Sequence, residues 1–217
     1  MTVRRTLICA LGAVTFGGPV LAEPDLRLIV NRMSDSVEIY AAIVASDLPT
    51  ILQADPSGLA AEDGRVYFGE LRQFGTFDFG DEMISQIALT VDGAPTQLEA
   101  MSVMVHPETN VLPFETPVDG VIAMSVCTVD DPSVPPEINA LRLYSGIIAY
   151  PVDGLAALSL SLPNQEAIEV EMVSYVEGQE DNRGVIMVSP GETITFDAST
   201  GTQTLAGRLG LGWLWQD

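Results

Sequence analysis

The stretch Glu99 to Pro117, EAMSVMVHPETNVLPFETP, holds the chain's one histidine, His106, with Met104 two residues before it and Met101 five before. Thioether sulfur and imidazole nitrogen suit soft or borderline metals, copper(I) above all. On a strand, side chains two apart share a face, which puts Met104 and His106 together and Met101 on the opposite side. Met104 and His106 are thus the candidate metal ligands of a copper-handling protein, with a further ligand to be drawn from methionines such as Met83 or Met124. The competing account is structural, and it is preferred because softness permits copper without requiring it. Methionines fill irregular core gaps, and His106, just ahead of Pro107, ends a strand at the surface.

Other chemistries fail on residue types. A serine-histidine-acid triad would have to use His106, and no Gly-x-Ser-x-Gly elbow is present to place the serine. Zinc wants several nitrogen or sulfur ligands, and beyond residue 22 the chain has one histidine and one cysteine, Cys127. The run GVIAMSVCTV places that thiol in an apolar strand, where free cysteine is normally inert core. Carboxylate neighbours such as Glu169 with Glu171, or Asp81 with Glu82, read as a solvated face. FDFGDE and EGQEDNRG read as acidic loops that lack the alternating-oxygen pattern of a calcium loop. No phosphate-cradling glycine loop or dinucleotide fingerprint occurs. No catalytic residue and no cofactor are expected, copper excepted under the alternative.

The opening residues MTVRRTLICALGAVTFGGPVLAEPD carry Arg4 and Arg5, an apolar run and the small residue Ala22, the three parts of a cleavable secretory signal over residues 1–22. The expected destination is periplasmic or secreted, with no membrane span after signal removal. Cys9 leaves with the signal, so Cys127 has no internal disulfide partner.

Charge narrows the partners. All nine basic residues are arginine against 30 acidic ones, a formal net charge of −21, and losing Arg4 and Arg5 makes it more negative. Such a surface repels phosphate backbones and anionic lipid, so no nucleic-acid partner is expected. An unknown protein or small molecule remains.

Period-two alternation dominates the elements that must position these side chains. In AIEVEMVSYVEG, Ile168, Val170, Met172 and Val176 face one way, and Glu169, Glu171, Tyr175 and Glu177 face water. ETITFDA, LRLIVN, SVEIYAAIV, GRVYFGELR, SQIALTV, GVIAMSVCTV, LRLYSGIIAY, AALSLSL and GVIMVS read as further strands. Asp-Gly recurs at Val91 to Gly93, in PVDGVIAMSV from Pro117 and in PVDGLAALSL from Pro151, each expected to turn the chain into a strand. Short helix is expected only within SDLPTILQADPSGLAAEDG, with Ser46 as a cap. The terminal GRLGLGWLWQD reads as a strand whose Trp213 and Trp215 pack inward.

The expected fold is therefore all-β, an antiparallel two-sheet sandwich with one or two short helices, built as one unit or as two packed β subdomains. A β-rich N-terminal unit over residues 23–130 would join a C-terminal unit over 140–217 through a Pro/Asp-rich crossover or linker at 131–139. The functional expectation is an exported, non-catalytic β-sandwich binding or interaction protein, with the copper-handling protein as alternative.

Overall fold

The computed structural model describes residues 23–68, 76–125, 134–152 and 156–196. Cys127, Trp213, Trp215 and the signal-like run lie outside them. The elements in chain order are β1 (Leu26–Arg32), β2 (Val37–Val44), α1 (Leu48–Ile51), α2 (Thr76–Ser85), β3 (Ala88–Val91), β4 (Ala94–Thr96), β5 (Glu99–Pro107), α3 (Pro117–Ser125), β6 (Leu141–Ala149), β7 (Leu158–Ser161), β8 (Ile168–Val176), β9 (Gln179–Val188) and β10 (Thr193–Phe196). They form two sheets, as the alternation implies. The larger has the order β5-β6-β2-β1-β8-β9 and the smaller β10-β7-β3-β4. Every pairing is antiparallel except β1 with β8, which run the same way because a long crossover separates them.

Strands from before and after the proline-rich segment interleave in the larger sheet, where β6 lies between β2 and β5. One face of this sheet carries Leu28, Ile39, Val105, Leu143 and Val170. They join Leu160 and Phe196 of the smaller sheet, Ile51 of α1 and Phe79 and Met83 of α2 in the main core. The opposite face carries a second core of Ile29, Tyr40, Ala42, Tyr144, Val173 and Tyr175 beneath Phe114 and the Ala123 and Met124 of α3. That second layer corrects the expectation for β8. Tyr175 is buried, because α3 and the segment before it cover the half of the outer face that alternation alone leaves to water.

Three further expectations are corrected. PVDGVIAMS, Pro117–Ser125, is helix α3, with Pro117 at its first turn. Thr116 and Asp119 cap it reciprocally. The Thr116 hydroxyl accepts from the Asp119 N–H at 3.2 Å, and the Asp119 carboxylate accepts from the Thr116 N–H at 2.9 Å. Gly120 supplies close approach here and no turn, since a Cβ on it would come within 2.5 Å of Tyr40 Cγ. FDFGDE belongs to helix α2, where Phe79 and Met83, four residues apart, are buried and Asp81 and Glu82 face water. GRVYFGELR is not a described strand: Arg65 makes one isolated bridge to Glu137, and the prolines at 135 and 136 lack the N–H groups that would extend a ladder.

Elsewhere the turn chemistry acts as expected or nearly so. Asp92 and Gly93 take positive φ of 49° and 80° between β3 and β4, the pattern of a tight hairpin. Glu177 and Gly178 do the same between β8 and β9, so EGQEDNRG is a hairpin turn and strand, not a loop. Helix α1 and two flanking 3-10 turns occupy the expected helical stretch, but Ser46 only donates to its neighbour Asp47 at 3.2 Å and caps nothing.

Candidate functional site

The register of β5 against β6 pairs Met104 with Tyr144 and His106 with Arg142, so Met104 and His106 share the face that α3 covers. Met101 was expected opposite. A β-bulge between Ala100 and Ser102 adds the residue that breaks the alternation, and Met101 packs on the same second core. Its Cβ lies 3.4 Å from the position of a Cβ on Gly146, which would also collide with the Met124 thioether. Gly146 thus leaves the room that Met124 fills. Met83 lies across the sheet in the main core.

His106 is buried, not at the surface, because α3 lies over the end of β5. Its Nε2–H donates to the Ala123 carbonyl at 3.0 Å; a carbonyl only accepts, so the proton is on Nε2. The ring meets Tyr144 edge-on, with centroids 5.3 Å apart at 77°. Burial holds the imidazole below its ordinary pKa, partly offset by the Ala123 hydrogen bond. Among the described residues no group of three or more His, Cys, Asp or Glu side chains gathers around a metal-sized space.

The sign of the resulting pH effect follows from linkage. Above about pH 6.5 the imidazole is neutral in both states and contributes nothing; below it the unfolded chain takes the proton first, and stability falls with pH. Melting temperature is therefore expected to drop between pH 7 and 5, with a smaller drop in His106→Gln. Comparing the two melting curves separates the imidazole from the carboxylates, and parallel curves would refute the assignment.

A different site emerges on the other face. Ala41 of β2, Ala100 of β5 and Ser145 of β6 bring three small side chains, with Gly80 of α2 and Gly146 of β6, to a place otherwise walled by residues such as Leu26, Ile39, Val103, Ile147 and Leu160. The core cannot close over them. A partly open apolar cavity results, with about 20 Å3 of internal free space, somewhat more than the ~10–15 Å3 one water needs by the same measure.

Ser145 is the one polar side chain among its walls. It sits between Ala41 and Val103 in register and on the same side as Leu143 and Ile147. It is 8 % exposed. Sequence reasoning did not find this site, because its small residues are scattered over β2, α2, β5 and β6.

One ion pair adjoins the first of these places, since Arg142 is the register partner of His106. Arg142 meets Glu23 at 2.6 Å, and Arg32 meets Asp181 at 3.2 Å, each guanidinium being almost fully buried. The outer side of α3 leaves Val118, Val121 and Ile122 in water. No protein-family model matches the chain, and no curated protein matches it either.

Proposed function

We propose that this chain is an exported, non-catalytic binding protein whose ligand inserts an apolar tip into the partly open cavity between the two sheets. The signal-like run at residues 1–22 supports export, and the sparse, dispersed reactive side chains support a non-catalytic role. One observation carries the ligand assignment: an aliphatic cavity is kept open by small residues in a core otherwise packed with Leu, Ile and Val.

Titrating the purified protein with 1-hexanol tests it, following side-chain methyl signals by NMR. Saturable shifts are expected at Ile39, Met83, Val103 and Leu160, and Ala41→Leu, which fills the space, should abolish them while leaving the fold intact. Shifts that do not saturate, or that survive Ala41→Leu, would refute the reading.

The copper(I) reading draws its support from the bulge that places Met101 with Met104 and His106, opposite Met124. The hydrogen bond that ties His106 Nε2 to Ala123 weighs against it. Cuprous titration under reducing conditions decides it: stoichiometric binding lost in Met104→Ala and His106→Ala supports copper, and its absence disposes of the idea.

A further inference from the structure

We infer that the second half of β9, residues 184–188, is a docking edge where a partner protein adds an extended segment to the larger sheet, a segment apolar at alternate positions and carrying lysine or arginine. The other sheet edges are guarded. β5 is interrupted by the bulge after Ala100 and ends in Pro107, β4 has three residues with Pro95 in the middle, and β10 has four. Such devices keep a strand from pairing with another chain. By contrast β9 runs for ten residues and, among the described strands, pairs with β8 alone. Glu180, Arg183 and the bulge at Asp181 guard its first half. Its second half, GVIMV, has no charge, proline or bulge, and it leaves Val185 51 % and Met187 57 % exposed on one face. An open row of backbone donors and acceptors beside two apolar side chains is what an incoming strand completes.

Charge and length choose the occupant. Glu169, the register partner of Met187, and the exposed Glu192 beyond the strand's end flank this edge in a chain of formal net charge −21, which favours a cationic segment over a second copy. Pro190 follows closely on Val188, and pairing five residues buries far less than the roughly 800 Å2 per partner of a stable dimer. Short strand addition of this kind suits peptide recognition. No cavity wall comes from β9, so the two sites stand or fall separately.

The probe is a capped, fluorescein-labelled peptide, Lys-Val-Thr-Val-Lys-Val-Thr-Val-Lys, titrated with the purified protein at physiological salt and followed by anisotropy. Saturable binding is expected, with slowed hydrogen exchange at alternate amides of residues 184–188. Replacing the peptide's two central valines by proline keeps its charge but removes ladder donors, and should weaken binding about tenfold or more. Met187→Lys, which installs an edge guard, should weaken it about tenfold as well. Val111→Lys, the same charge change at a similarly exposed site after β5, should leave it unchanged. Absence of saturable binding, equal binding of the proline peptide, or equal loss in both lysine variants would each overturn the inference. So would reversible dimerisation on sedimentation that Met187→Lys abolishes, which would assign the edge to a second copy.

Discussion

Replacing Tyr144 with alanine is expected to cost about 3–5 kcal/mol of unfolding free energy, the range for deleting a fully buried aromatic side chain. Its ring is almost inaccessible, meets His106 edge-on and lies 5.5 Å from Phe114, while its hydroxyl accepts the Leu112 N–H at 3.2 Å. It is the residue on which α3, β5 and the approach to α3 all rest. Tyr144→Phe keeps the ring and loses only one acceptor, so it should cost about 1 kcal/mol. Urea denaturation of the three proteins checks the pair. A Tyr144→Ala loss below that of Tyr144→Phe would mean that the second core contributes little.

The second large effect is electrostatic. Asp181 is the extra residue at the bulge where β9 slips against β8, and the bulge turns it toward Arg32, which it meets at 3.2 Å, and toward the Ser174 hydroxyl at 3.3 Å. Both charged side chains are largely out of water. Asp181→Ala removes this carboxylate from a buried guanidinium and should cost about 3 kcal/mol. Asp181→Asn keeps one acceptor and should fall between it and wild type. The same denaturation series measures it, and a loss within about 0.5 kcal/mol, the range of a neutral surface substitution, would contradict the burial of this pair.

Alternation exposed most of the strands, because burial on one face writes itself directly into the order of residues. It failed where a second layer covers the outer face, as at Tyr175, since nothing local distinguishes a half-wet sheet from a doubly covered one. The PVDG at Pro117 was misread because Asp-Gly also marks hairpins. Thr116 three residues before Asp119, with Pro117 between, was the competing capping signal, and it prevailed.

Met104 and His106 share a face as their spacing required, but the inserted residue that moves Met101 beside them has no local signature. The cavity was the least accessible feature of all. Ala41, Gly80, Ala100 and Ser145 are unremarkable singly, and only the register of three strands and the seat of α2 bring them together.

The strand order also bears on how the chain acquires its shape. Emerging amino end first, β1 and β2 can pair at once, but β6, which flanks β2, and β8, which flanks β1, are made only much later in the chain. Through that interval the hairpin has two open edges and β5 has no neighbour in its sheet. Such high contact order favours slow folding that is completed only once nearly all of the chain has been made.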